Sequence, residues 1–325
     1  MTNWTRFRLG YVAMSVNVKN CSPSQTMTYK RFQQLDDKEA AVSRLERIAR
    51  SNLHNCLRLL KHNNAHDIKF FRLSSRLVPL ATHEALNGWN YMQAIRNDLR
   101  ALGDFARKHT MRLDFHPDHF VVLNSPKESV FNGSVKNLLH HVQLVDGMGI
   151  DLTHRSVLHV GGTYKNKPKA IEQFISNWSY VPDDVQRMLM IENDDKSFNL
   201  QDCLYLGEKL GIPVVFDYHH HLANHEDPDW TSHWNRVVNS WRNSPHPLKM
   251  HISSPKNEQA FRSHADLVDS DMFMRFLKEV NGSVAEMDCM IEAKQKDGAL
   301  FQLMQDLKGR DDIEMVDEAS FYVKT

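Results

Sequence analysis

The chain has 325 residues, enough for two average domains or one large α/β barrel, and its 40 Lys+Arg are matched by 40 Asp+Glu. Zero net charge excludes a global field for polyanions, so any nucleic-acid site has to be a local basic patch. Four dispersed cysteines, Cys21, Cys56, Cys203 and Cys289, form no CxxC and exclude a disulfide framework or zinc knuckle, whereas 19 histidines favour metal or near-neutral proton chemistry.

The first stretch, "MTNWTRFRLGYVAMSV", has no apolar signal region, and no later stretch reaches the roughly 18 apolar residues of a membrane span. The expectation is a soluble intracellular protein, cytoplasmic or nucleoid-associated. In chain order, the apolar runs "FRLGYVA" (7–13), "IKFFRLS" (68–74), "MRLDFH" (111–116), "SVLHVG" (156–161), "MLMIEN" (188–193), "PVVFDYH" (213–219), "LKMHIS" (248–253) and "DCMIEA" (288–293) predict strands. Helical periodicity lies between them, as at 38–62, 89–108, 134–147, 200–210 and 299–308. Eight strands alternating with helices, and no linker, predict a single (β/α)8 TIM barrel over 1–325. A doubly wound open sheet is the alternative, but its GxGxxG fingerprint is absent.

Active sites of such barrels are built from the C-terminal strand ends. Here those ends carry His116, His159, Glu192, Asp217 with a histidine cluster, Lys249 with His251, and Glu292. One such residue alone reads as a hydrogen-bonded wall or a helix cap. Six consecutive strands offering them is costly to bury unless positive charge sits at the centre.

In "FDYHHHLANHE" (216–226), five residues compete as ligands: Asp217, His219, His220, His221 and His225. Strand alternation aims His219 alongside Asp217. On the seventh strand, alternation turns Lys249, His251 and Ser253 away from Leu248, Met250 and Ile252. Lys249 beside divalent cations requires a strongly lowered pKa or chemical conversion to an anion; pairing with a carboxylate such as Glu292 is the other reading. His264 and Asp266, in "FRSHADLVD" (261–269), either supply a peripheral third metal or belong to a polar surface loop.

Mixed imidazole and carboxylate ligands suit Mn2+, Zn2+, Fe2+ or Co2+, and clustered metals suit phosphodiester cleavage. A sugar isomerase or epimerase uses a similar set, so the ligands alone leave both open.

The motifs "LGYV" (9–12), "RLSSRLVPLATH" (72–83), "FHPDHF" (115–120), "SPKESV" (125–130), "HVGG" (159–162), "IENDDKSF" (191–198), "FDYHH" (216–220), "HISSPK" (251–256), "RSHAD" (262–266) and "MIEAKQKD" (290–297) run through nearly the whole chain. In this order they resemble the UV damage endonucleases, metal-dependent TIM-barrel DNA-repair enzymes related to the apurinic endonucleases and, more distantly, to xylose isomerase. The resemblance implies that His116, His159, Glu192, Asp217, His220, His251, His264 and Glu292 hold two or three divalent ions, usually Mn2+ (Zn2+, Mg2+ or Co2+ being alternatives). Glu192 is then the bridging carboxylate, and Glu192, Lys249 and Glu292 carry catalysis, with Lys249 carboxylated at its amine. For the histidine run, it selects Asp217 with His220 and demotes His219, His221 and His225.

The implied reaction is incision of double-stranded DNA immediately 5′ to cyclobutane pyrimidine dimers or 6-4 photoproducts, leaving a 3′-hydroxyl and a 5′-phosphate. It implies no membrane and no obligate protein partner. Flipped nucleotides are part of that picture. The pair after the third-strand histidine, here His119 and Phe120, is the implied duplex wedge; the family has Gln at the first position, so His119 is a departure. Tyr11 matches a tyrosine near the lesion pocket. Basic residues of the same loops, among them Arg72, Arg76, Lys127, Lys165 and Lys256, are candidates for phosphate contact. The runner-up is a metal-dependent sugar isomerase or epimerase on the same barrel; a non-enzymatic, metal-free damage-binding module is the third reading.

Overall fold

The computed structural model describes residues 4–324. Eight parallel strands carry the fold: β1 (Arg6–Val12), β2 (Phe70–Arg72), β3 (Arg112–Asp114), β4 (Ser156–His159), β5 (Leu189–Glu192), β6 (Val214–Asp217), β7 (Leu248–Ile252) and β8 (Glu286–Ile291). They pair in the order β3-β2-β1-β8-β7-β6-β5-β4. A parallel bridge between Phe115 and Ser156 closes the ring, with Phe115 donating to the Arg155 carbonyl at 2.7 Å and Val157 donating to the Phe115 carbonyl at 3.0 Å. The result is the expected (β/α)8 barrel. Its strands are short and buried on both faces because helices cover the outside and side chains fill the inside.

The predicted helices are present with shifted ends: α2 (Lys38–Ala65) after a short α1 (Tyr29–Gln33), α3 (Tyr91–Lys108), α4 (Glu128–Met148), α7 (Leu200–Leu210) and α11 (Lys296–Lys308). Caps explain several starts. Asp37 accepts from Glu39 and Ala40 at the head of α2, and Asn199 and Asp202 form a capping box on α7. The intervening α5 (Lys167–Trp178), α6 (Asp183–Met188), α8 (Tyr218–Ala223), α9 (Thr231–Ser240) and α10 (Ser270–Val280) complete the layer.

A C-terminal hairpin, β9 (Ile313–Met315) and β10 (Ser320–Val323), was not expected from the sequence. β2 covers only Gly10–Val12 of β1, so β10 pairs antiparallel with the Arg6–Arg8 edge that β2 leaves open. No helix among the described residues is long and apolar enough to cross a membrane.

The inside of the barrel is unusual in being charged below the rim. Arg8 Nη2 reaches Asp288 Oδ1 at 2.6 Å, Arg112 bridges Asp288 (2.8 Å) to Asp114 (3.2 Å), and Lys249 Nζ meets Asp114 Oδ2 at 3.1 Å. Phe70 lies against both Arg112 and Lys249, with the cationic groups 5.2 and 5.3 Å from its ring centre. This network is the floor on which the site above it stands.

Candidate metal centre and groove

Above that floor, the strand ends bring seven of the eight expected ligands together. Three overlapping groups form: His116, His159 and Glu192; Glu192, His251 and Glu292; Glu192, Asp217 and His220, with the ligand atoms of each group within 4.8 Å of one another. Glu192, fully buried at the end of β5, belongs to all three. Its Oε2 lies 3.0 Å from His116 Nε2 and 3.2 Å from His159 Nε2, and its Oε1 lies 2.7 Å from His251 Nδ1.

Second contacts fix which ring nitrogen faces inward. His116 Nδ1 donates to the Pro117 carbonyl at 3.0 Å and His220 Nδ1 to the Asn193 carbonyl at 2.9 Å, which makes Nε2 the lone-pair atom of each neutral ring; His220 is raised to about 9, against burial, by Asp217, Glu192 and Glu292, and a cation would displace its Nε2 proton. The His116 lone pair then faces a carboxylate oxygen. Two acceptors at 3.0 Å are compatible only with a proton or a metal ion between them. Asp217 Oδ2 and His251 Nε2 are buried without hydrogen-bond partners. These observations and the donor chemistry fit divalent cations.

The electrostatics agree. Burial alone would raise the Glu192 carboxyl, but His251 and His159 hold it well below the usual range. Burial pushes Asp217 up to about 8, with His220 opposing and Glu192 and Glu292 adding to the rise. A carboxyl kept from ionising by burial, and by two other carboxylates, is one that a divalent cation would ionise. Burial lowers His251 to about 4, so it stands as the neutral imidazole that metals bind.

The question posed by "FDYHHHLANHE" has a geometric answer. β6 stops at Asp217, which caps α8 by accepting from His220 N at 2.7 Å. The change from strand to helix makes i and i+3 neighbours, so Asp217 and His220 share a side. His219 is buried elsewhere, with Nδ1 on Ser253 Oγ and Nε2 donating to the Phe261 carbonyl, both at 2.7 Å. Neither of its nitrogens is left for a metal.

Several expectations need correction. Tyr11 does not reach the groove: it is fully buried in β1, and its hydroxyl donates to Asn63 Oδ1 on α2 at 2.7 Å, because alternation turns it towards the helix layer. Lys249 stands outside the three groups, and its Nζ pairs with Asp114 Oδ2 at 3.1 Å, a carboxylate other than Glu292. Burial, with Arg112 and Arg72 adding to it and Asp114 opposing, lowers its amine to about 8. Glu292 is instead paired with Arg72, Nη1 to Oε1 at 2.5 Å. His264 stands apart from the three groups, its Nδ1 donating to the Glu292 carbonyl at 2.8 Å.

The cluster opens into a groove of about 550 Å3 between the β1 loop (Val12–Met14), the Arg72–Arg76 segment and the His116–His119 segment, with His159, His220, His264 and Glu292 at its base. His119 lines it, and Phe120, the next residue in the chain, is 59% exposed.

Sequence reasoning missed Asn193. Its side chain bonds the Asp217 backbone twice at 2.9 Å, Nδ2 donating to the carbonyl and Oδ1 accepting from the amide. It thereby continues sheet-like pairing past the end of β5 and fixes Glu192 against Asp217. Its place in "IEND" beside Glu192 was the available signal. Asn193→Ala is expected to weaken Mn2+ binding by about 10- to 100-fold, the range for groups that orient ligands; calorimetric titration of metal-free protein reads it directly.

A TIM barrel with a His/carboxylate cluster at its C-terminal rim under an open groove defines a class of barrel enzymes with a candidate site for divalent ions. Within that class, the family model of UV-endonuclease UvdE matches residues 7–322, and the chain belongs to this family of DNA-repair endonucleases. It is similar to a UV DNA damage endonuclease of Halalkalibacterium halodurans, with 51% identity over 316 residues, 97% of this chain and 98% of the relative. Among solved structures, SacUVDE matches with a TM-score of 0.82 at 31% identity, covering 93% of this chain and 98% of its own. Endonuclease IV from Thermus thermophilus, with a TM-score of 0.51, 14% identity and 87% and 91% coverage, shares the barrel fold. Family membership removes the sugar isomerase or epimerase alternative and the non-enzymatic binding module.

Proposed function

We propose that this endonuclease, as one barrel domain, incises double-stranded DNA immediately 5′ to cyclobutane pyrimidine dimers and 6-4 photoproducts, leaving a 3′-hydroxyl and a 5′-phosphate. The observation that carries the reading is Glu192, common to three ligand groups at the base of an open groove. Two divalent ions, Mn2+ in the first instance, would be held by His116, His159, Glu192, Asp217, His220, His251 and Glu292, and His264 is the candidate for a third. When bound, such ions supply Lewis acidity, lowering the pKa of water and neutralising charge on the phosphate.

The chain's own residues set the geometry. Glu192 would be shared by the ions, His116 and His220 would offer Nε2, and Arg72 keeps Glu292 oriented from the groove side. Lys249, two residues before His251 on β7, is the partner of Asp114; carboxylation of its amine would require Asp114 to give up that pair. His119 and Phe120 form the wedge, with His119 able to donate a hydrogen bond and to stack where the family has Gln. An already weakly stacked lesion makes flipping cheap.

The test is incubation with Mn2+ of an end-labelled duplex carrying one photoproduct. Expected is one cut, directly 5′ to the lesion, with a 3′-hydroxyl that a polymerase extends; equal cutting of undamaged duplex, or a cut on the 3′ side, contradicts the proposal.

A further inference from the structure

We infer that Tyr164, with Lys165, is a second DNA-stacking platform next to the His119–Phe120 wedge, taking the face of a base or deoxyribose while Lys165 meets a phosphate; this rests on the lesion-duplex reading above. Tyr164 has φ 48° and Lys165 φ 64°, two consecutive left-handed residues that both carry a Cβ. That conformation is unfavourable for each and persists only where the surroundings impose it, as at ligand clamps.

The surroundings here are specific. Asn124, fully buried, donates from Nδ2 to the Gly162 carbonyl at 2.8 Å and accepts from the Gly162 amide at 3.2 Å. A Cβ on Gly162 would meet the Tyr164 ring at 3.1 Å, so the ring lies directly over this glycine. Asn166 N closes the turn on the Thr163 carbonyl at 2.8 Å. All this holds a ring that remains 48% exposed.

Burying a large aromatic would ordinarily stabilise the fold, so holding one outward through strained backbone points to a ligand. Asn124 lies on the β3 loop that carries His119 and Phe120, and Gly162 on the β4 loop that follows His159. The Asn124–Gly162 bonds therefore tie together the two neighbouring loops that carry these aromatic residues. An aromatic face beside an exposed lysine, on the loop tied to one that carries a second exposed aromatic, is the composition that grips nucleic acid without reading sequence.

The experiment is fluorescence anisotropy, before Mn2+ is added, with a labelled duplex carrying one cyclobutane dimer and with its undamaged counterpart. Tyr164→Ala and Tyr164→Gly are expected to weaken binding by about 5- to 100-fold, the range for one lost base–aromatic stack, and Tyr164→Phe to stay within about 2-fold. In turnover the loss falls on KM rather than kcat. Tyr164→Gly should melt no lower than wild type, since glycine accepts φ 48°. Lys165→Ala should lower the slope of log Kd against log salt by about 0.9. Unchanged binding by Tyr164→Ala, or Tyr164→Phe as weak as Tyr164→Ala, overturns the inference. Wild-type protein that binds both duplexes alike overturns lesion preference instead, and the variant-to-wild-type ratio on undamaged duplex then decides the role of Tyr164 separately.

Discussion

Replacing Glu192 by glutamine is expected to lower Mn2+ affinity by at least about 100-fold and to take incision to background, while the protein still folds. Glutamine keeps the volume and one carbonyl acceptor but removes the charge shared by all three ligand groups. His251, already held to about 4, stays neutral without its anionic partner, so the substitution leaves no new buried cation there. Loss at a peripheral ligand should be milder, because the other two groups remain intact. A Glu192→Gln protein that binds Mn2+ like wild type would show that the three groups do not share one centre.

The second large effect is on stability. Asp114→Ala removes the anion between Lys249 and Arg112, both buried, and is expected to cost about 3–5 kcal/mol in urea unfolding, read as a lower midpoint at constant m. The carboxyl of Asp114, which burial alone would raise, is held well below its usual range by Arg112, Lys249 and Arg155, which marks how much the ionised pair matters. Adding Lys249→Met to Asp114→Ala should recover part of the loss by removing one of the stranded charges. Arg76→Ala, which breaks an exposed pair with Asp118 at 3.4 Å, should cost no more than about 1 kcal/mol. A small effect of Asp114→Ala would mean that water or rearrangement satisfies the barrel floor.

The barrel and most of the ligand set were legible because both are written in local pattern. Eight apolar runs fix the parallel strands, and His or carboxylate groups recur where those runs end. Less legible was whatever depends on where a strand stops. Alternation carried through "PVVFDYH" selects His219, and only the switch to α8 after Asp217 brings His220 inward. Tyr11 reads as a rim residue until its position in β1 turns it to Asn63.

Lys249 illustrates another limit. Its inward direction follows from period two, but its partner Asp114 sits on β3, 135 positions away, and no local pattern joins them. The β9–β10 hairpin escaped notice because strands of three and four residues carry too little periodicity, and its role depends on β2 being short. Asn193 and Asn124 act through backbone partners, which no side-chain pattern announces.

The most direct test of the central claim is a crystal structure of Mn2+-loaded protein with anomalous scattering at the manganese edge. The expected result is manganese peaks sharing Glu192 as a ligand, with Asp217 and His220 on one ion and His219 still bonded to Ser253. Peaks that do not involve Glu192, or manganese on His219, would contradict it.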